Sequence, residues 1–180
     1  NRGKKSIVVL ESTVYPGVTR EIIGKLANDA GMHIGTDLEI AYCPERVLPG
    51  KIMVELISND RIVGGVNEIS TRRVRAFYET FVEGDVLICS AKTAELCKLA
   101  ENSFRDVNIA LANELSMICD THDIDPWELI RLSNHHPRVD ILQPGAGVGG
   151  HCIAVDPYFI VSAFPELSKI IGTAREVNNY

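Results

Sequence analysis

The stretch GDVLICSAKTAELCKLAENSFRDVNIALANELSMICD, Gly84 to Asp120, holds two kinds of pattern side by side. Gly84-Asp85 is a turn signal, and the short apolar run Val86-Leu87-Ile88-Cys89 behind it predicts a buried strand. Between Ala91 and Pro126 there is then no Gly and no Pro, and Cys97, Phe104, Val107, Leu111, Leu115 and Ile118 mark an apolar face at helical spacing. A helix of about 30 residues would be roughly 45 Å long, far beyond the usual three or four turns. Such a helix predicts the spine of a bundle or a subunit interface. The chain therefore changes character near residue 90.

Upstream, strand and helix signals alternate. Ile7 to Leu10 is a short apolar run fit for a buried parallel strand. Pro16-Gly17 leads into an amphipathic helix with Ile22, Ile23, Leu26 and Ala27 on one face, stopped by Gly31. Leu38 to Tyr42 and Arg61 to Val66 predict two further strands, and Val74, Phe77, Tyr78 and Phe81 a helix over residues 68–81. Strands separated by helices of this length predict βαβ units and a parallel sheet. About 90 residues supply only half of a doubly wound domain. Downstream, Asp125-Pro126-Trp127-Glu128 predicts a helix start with an Asp cap, Pro at the first position and Glu closing a capping box. That helix is expected to stop near His135-His136-Pro137, and a last one carries Leu167, Ile170, Ile171, Ala174 and Val177.

Composition bounds the function. The 180 residues are 46% hydrophobic and 23% charged, a globular mix, and the net charge of -6 argues against a nucleic-acid surface. No apolar run approaches the roughly 20 residues that span a bilayer, so no membrane partner is expected. The five cysteines, Cys43, Cys89, Cys97, Cys119 and Cys152, include no C-x-x-C pair, which predicts reduced thiols in a cytoplasmic protein. His135-His136 and His151 invite a metal reading, but adjacent histidines point apart and no carboxylate or thiol stands at ligand spacing. No metal is expected. The start without Met and the abrupt end at Tyr180 read as a piece of something longer.

Within PGAGVGGHCIAVDP, Pro144 to Pro157, residues Gly145 to Gly150 fit G-x-G-x-x-G. A dinucleotide fingerprint follows a strand and opens a helix. Here the approach is bracketed by Pro137 and Pro144, Ile153 and Val155 are poor helix openers, and Pro157 is expected to break any helix that follows. The better reading is a flexible loop that brings Cys152 close to a ligand, with Asp156 four residues on. Two alternatives stay open for Cys152: a nucleophile, or a buried structural thiol after a turn.

Four motifs add a resemblance. Glu11-Ser12-Thr13-Val14-Tyr15-Pro16-Gly17, Tyr42-Cys43-Pro44-Glu45-Arg46, Glu95-Leu96-Cys97-Lys98-Leu99-Ala100-Glu101-Asn102 and Gly149-Gly150-His151-Cys152 through Asp156 stand in the order expected of the nucleotide-sugar 6-dehydrogenases. Over nearly its whole length the chain resembles this UDP-glucose and GDP-mannose dehydrogenase family. The resemblance implies an α/β fold in two parts: residues 1–90 as the second part of an NAD-binding Rossmann domain, and residues 91–180 as an all-α central domain that dimerises through the long helix. The first part of the NAD domain, with its true glycine fingerprint, and a C-terminal domain would be lacking. It further implies oxidation of a sugar C6 alcohol to a carboxylate with two NAD, the aldehyde being held as a cysteine thiohemiacetal and then a thioester.

Carried onto this sequence, the resemblance makes Cys152 the nucleophile. Lys98 and Asn102, one helical turn apart, would stabilise negative charge on the C6 oxygen. Asp156 would orient Lys98 or water, Glu45 would act as base in thioester hydrolysis, and Thr13 would position the water. Thr13 and Glu45 also fall to the cofactor, and Arg46, Val47, Arg138, Gly149 and Gly150 to the substrate. The bland alternatives are a solvated helix face for Lys98 and Asn102, an ion pair for Glu45 with Arg46, a turn for Thr13 and for Asp156-Pro157, and a surface arginine for Arg138. Two variants, Arg46-Val47-Leu48-Pro49-Gly50 after Glu45 and Ala154-Val155 before Asp156, resemble the branch acting on UDP-N-acetylmannosamine. Competing expectations are a two-electron hydroxy-acid dehydrogenase and, for the chain by itself, a dimerisation module that binds NAD weakly and turns over little.

Overall fold

The computed structural model describes residues 5–148 and 150–179. The apolar runs of the first half form β1 (Ser6–Leu10), β2 (Leu38–Tyr42), β3 (Arg61–Gly65) and β4 (Val86–Ser90), side by side in that order. β1 and β2 are parallel, with Ser6 beside Leu38, and so are β3 and β4, with Arg61 beside Val86. Between β2 and β3 the pairing is antiparallel, Ala41 beside Gly65 and Tyr42 beside Gly64. The sheet is thus mostly parallel, as the alternation predicts, with one reversed seam. A parallel pair needs a crossover packed on the sheet. The link from β2 to β3 holds only α2 (Ile52–Ser58), which buries none of its residues, so the chain turns back.

Both faces of β2 are covered, and all five of its residues are buried. On one side Leu38 and Ile40 pack with Ala27 and Val66; on the other Ala41 and Cys43 pack with Val63 of β3 and with Val74 and Tyr78 of α3 (Glu68–Tyr78). The helix expected after Gly17 begins as a π-helical turn, Thr19–Ile23, before α1 (Gly24–Asp29). The wider turn holds an extra residue and rotates the face. Ala27 is buried accordingly, whereas Ile22 and Leu26 are exposed rather than packed, which corrects the predicted face.

The chain divides into two compact units, one up to Lys98 and the other from Leu99. α4 (Ala91–Asp120) has 30 residues, the length predicted. The face it buries differs from the expected one. Leu99, Asn102, Ser103, Asp106, Ala110 and Cys119 are buried, whereas Phe104, Leu111 and Ile118 are 69%, 48% and 50% exposed. Residues later in the chain bond to this small and polar side, Asp156 to Asn102 and Arg175 and Asn178 to Asp106, while Phe104, Leu111 and Ile118 stay exposed. α5 (Pro126–Ser133) starts as predicted, with the Asp125 carboxylate accepting the Trp127 N–H at 2.9 Å, while Glu128 pairs with Arg131.

One expectation fails outright. α6 (His151–Ala163) runs straight through Pro157, followed by α7 (Lys169–Asn178). Proline in a helix interior costs about 3 kcal/mol, because its N–H is missing and its ring crowds the carbonyl four residues back. Here Ile153, Asp156, Pro157 and Ile160 fall on one helical face, and all are buried. Packing of that face outweighs the local penalty.

Candidate functional site

In the first unit the loops leaving β1 and β2 lie together. Cys43 N–H donates to the Leu10 carbonyl at 3.0 Å and Glu45 N–H to the Glu11 carbonyl at 3.4 Å. The β1 loop carries half-buried Thr13 and ends at Gly17, whose φ of +118° suits glycine alone. The β2 loop carries half-buried Glu45. Its carboxylate accepts the Val47 N–H, and its carbonyl accepts a 2.7 Å bond from the Lys98 ammonium on α4. Lys98 is therefore half-buried and tethered, not part of a solvated face. Arg46 donates to the Asp60 carbonyl at 3.4 Å and borders, with Ser58 and Asn59, a cavity of about 480 Å³.

Deeper in the same unit, Glu95 of α4 is fully buried, and its two oxygens accept the Gly17 N–H at 2.5 Å and the Thr19 N–H at 2.8 Å. Nothing in the helix pattern had marked Glu95 as more than a motif position. Cys43 is equally buried, and burial pushes its thiol up to about 11, beside Tyr78. The Tyr78 hydroxyl, itself driven upward by burial, donates to the Glu11 carboxylate at 2.5 Å. Cys43 is a core thiol.

In the second unit the glycine run delivers a different thiol. Gly150 precedes α6 with a φ of +84°, and a Cβ there would meet nothing within 4 Å. Cys152 follows in the first turn and is exposed, so the buried structural reading of this thiol is excluded. The first N–H groups of a helix have no partner within it and face whatever lies before them. One turn on, Asp156 is buried and accepts a 2.6 Å bond from the buried Asn102 amide. Asn102 is thus fixed by an acid rather than by solvent. Arg138 is exposed, its N–H on the His136 ring at 3.3 Å, and Gly149 lies outside the described residues.

The other end of the glycine loop is anchored by residues that sequence reading missed. Gly145 N–H donates to Asn113 at 2.9 Å, Asn113 donates to Asn178 at 2.9 Å, and Asn178 donates to the Asp106 carboxylate at 2.9 Å. Arg175 closes the chain with a 2.6 Å ion pair to Asp106. A cavity of about 300 Å³ lies between Pro144 to Gly147, Asn113 and Trp127. A signal was available: Glu95, Lys98, Asn102, Asp106 and Asn113 recur at spacings of a helical face, a polar stripe inside an otherwise apolar pattern. Among the described residues, no group of three or more His, Cys, Asp or Glu is placed to hold a metal ion, and no helix is long and apolar enough to cross a membrane.

Residues 2–82 match the NAD binding domain of the UDP-glucose/GDP-mannose dehydrogenase family, and residues 92–180 match the central domain of that family. The glycine run thus falls outside the NAD-domain match; Gly150 leads into a helix, against expectation, but among the described residues no strand lies between α5 and α6. Among curated proteins, the UDP-N-acetyl-D-mannosamine dehydrogenase of Salmonella typhi is 56% identical over 98% of this chain and 44% of its own length. The NDP-N-acetyl-D-galactosaminuronic acid dehydrogenase of Ralstonia solanacearum is 53% identical over 96% of this chain and 43% of its own. A solved UDP-D-ManNAc dehydrogenase structure from Pyrococcus horikoshii superposes with a TM-score of 0.90 at 45% identity, over 96% of this chain and 41% of that one. The chain spans less than half the length of the curated relatives it matches.

Proposed function

The chain belongs to the UDP-glucose/GDP-mannose dehydrogenase family, and from that premise we propose that the complete protein oxidises the C6 alcohol of UDP-N-acetylmannosamine to the carboxylate. The observation that carries this reading is Cys152, an exposed thiol in the first turn of a helix behind a positive-φ glycine. Residues 1–90 then serve the NAD domain and residues 91–180 the central domain.

NAD, when bound, accepts a hydride at each of the two oxidations. The residues of this chain fit part of it. The loops after β1 and β2 leave the carboxyl ends of parallel strands, where α/β sheets bind their ligands. Thr13 and Glu45 would hold the cofactor there. The backbone N–H groups of Gly17 and Thr19 already serve Glu95, so this turn offers no phosphate cradle.

The rest of the chemistry falls to side chains. Cys152 Sγ adds to the aldehyde carbon, forming a C–S bond, and the oxygen takes up negative charge. The Lys98 ammonium and the Asn102 amide stabilise that charge, Asn102 being oriented by Asp156. At the thioester stage Glu45 removes a proton from a water positioned by Thr13, and the C–S bond breaks as a C–O bond forms. Arg46, Val47, Arg138, Gly149 and Gly150 contact the nucleotide sugar. Five free cysteines, an odd set, support a cytoplasmic setting.

The test is the NADH formed per sugar consumed by the complete protein. With UDP-N-acetylmannosamine a ratio of two is expected; a ratio of one means simple alcohol dehydrogenation and removes Cys152 from the mechanism. UDP-N-acetylgalactosamine run in parallel tests the sugar, and faster turnover of it would overturn that part of the reading.

A homodimer through α4 is the proposed assembly. Phe104, Leu111 and Ile118 recur every seven residues and stay exposed, and Val107, Leu111, Ile170 and Val177 border an apolar groove of about 330 Å³. Light scattering of the chain at micromolar concentration should give twice the monomer mass, and Phe104→Asp should halve it. A monomeric parent would sink the assembly.

A further inference from the structure

We propose that Glu95 is a positioning residue for the hydrolytic half of the reaction, acting through the loop that carries Thr13. The inference rests on the proposed function, because it assigns Glu95 a part in the thioester step. Its own basis is the clamp on α4. Glu95 is fully buried and spends both carboxylate oxygens on backbone N–H groups of one turn, Gly17 at 2.5 Å and Thr19 at 2.8 Å. That turn closes the β1 loop, in which Thr13 stands four residues before Gly17. Three residues along the same helix, Lys98 holds the backbone of Glu45 at 2.7 Å. Adjacent positions of α4 thus hold the two loops that bear the water-handling groups, one loop each. The loops also bond directly, Glu45 N–H to the Glu11 carbonyl.

A buried carboxylate is an expensive way to fix a loop. What it achieves is geometry, since two fixed acceptors on the N–H groups of Gly17 and Thr19, either side of Val18, allow the turn one orientation. In the step concerned, water adds to the thioester carbon and a C–O bond forms. The C–S bond breaks, and its electron pair returns to Cys152 sulfur. Glu45 takes one proton of the water and returns it to the departing thiolate, the acid gives the other to solvent, and the product leaves as carboxylate. Loosening the Thr13 loop misplaces the water and weakens the hold of Thr13 on the cofactor, which saturating NAD offsets, while Cys152, Lys98 and Asn102 keep their own anchors.

Glu95→Gln in the complete protein tests this, because the amide keeps the shape and only one good acceptor. With NAD and UDP-N-acetylmannosamine, kcat is expected to fall by about 10- to 100-fold, with the sugar KM unchanged. Acid-quenched mass spectrometry should then show a uronoyl thioester on Cys152 as the main steady-state species, as it should for Glu45→Gln. A kcat loss without that adduct, or a rise in both KM values at constant kcat, overturns the assignment. Should the glutamine variant not fold, Glu95→Asp is read the same way; failure of both to fold makes Glu95 a fold residue and also overturns it. Two NADH per sugar in the wild type with no adduct in the variant sinks this assignment alone. One NADH per sugar in the wild type sinks the proposed function and takes the assignment with it.

Discussion

Cys152→Ala in the complete protein is expected to abolish formation of the sugar acid, with the steady-state rate falling on the order of 10⁴-fold. The reason is chemical rather than steric. A free aldehyde is a poor hydride donor, and addition of the thiol converts its carbonyl carbon to a tetrahedral centre that can lose a second hydride. Alanine leaves the helix start unchanged in shape, since Cys152 is exposed and Gly150 sets the turn. The core thiol of the first unit does not substitute: Cys43 is buried and burial pushes its thiol up to about 11. The variant should therefore release at most one NADH per sugar, and an aldehyde trap such as hydroxylamine should capture the product. Full acid production by Cys152→Ala would show that the thiol is not the covalent site. Loss of activity together with loss of the native circular dichroism would instead make it a fold residue, and the first-turn exposure argues against that.

How much of this was readable beforehand depends on which force decided each element. The four strands are short apolar runs bounded by turn residues, so their positions were visible. β2 and all of β3 but Ile62 are buried, but Ile7 and Val8 of β1 and Leu87 and Ile88 of β4 are 40% to 53% exposed, which corrects the buried reading of these two edge strands. The Asp125 cap was visible because its chemistry is local. α2 was not, because Ile52-Met53-Val54 and Leu56-Ile57 form a block without helical period, and none of them is buried. The π-helical turn at Thr19 was hidden for another reason: the Glu95 carboxylate that receives its first N–H comes from 76 residues away. Pro157 misled because the penalty of an interior proline is local while the compensating burial of Ile153 and Ile160 is tertiary. The bulky side of α4 was read as the packed one, but Phe104, Leu111 and Ile118 stay exposed among the described residues, because which side of a long helix packs is decided by the tertiary bonds of its polar side. The same holds for the candidate site. Cys152 and Asn102 were found as motif positions, whereas the Asp106, Asn113, Arg175 and Asn178 network appears only when α4 and α7 are laid together.

That network carries the largest stability effect. Arg175→Leu should destabilise the second unit by about 3–5 kcal/mol, a large share of the roughly 5–15 kcal/mol available to a domain. Arg175 and Asp106 are 3% and 0% exposed, and their ion pair is 2.6 Å long. Replacing the guanidinium leaves a carboxylate that water cannot reach, with only Asn178 still donating to it. The pair itself need not stabilise much relative to apolar residues, since two desolvated charges recover little more than they lost. The double variant Asp106→Leu/Arg175→Leu should accordingly be more stable than Arg175→Leu alone, though the Asn178 amide then loses its acceptor and the Gly145 anchor slackens with it. Urea titration followed by circular dichroism gives all three free energies, and Asp106→Leu completes the cycle. A single-variant loss below about 1 kcal/mol would mean that water or a rotated side chain replaces the guanidinium. The buried pair would then be an exposed one in solution, and the anchoring of the glycine loop through Asn178 would fall with it.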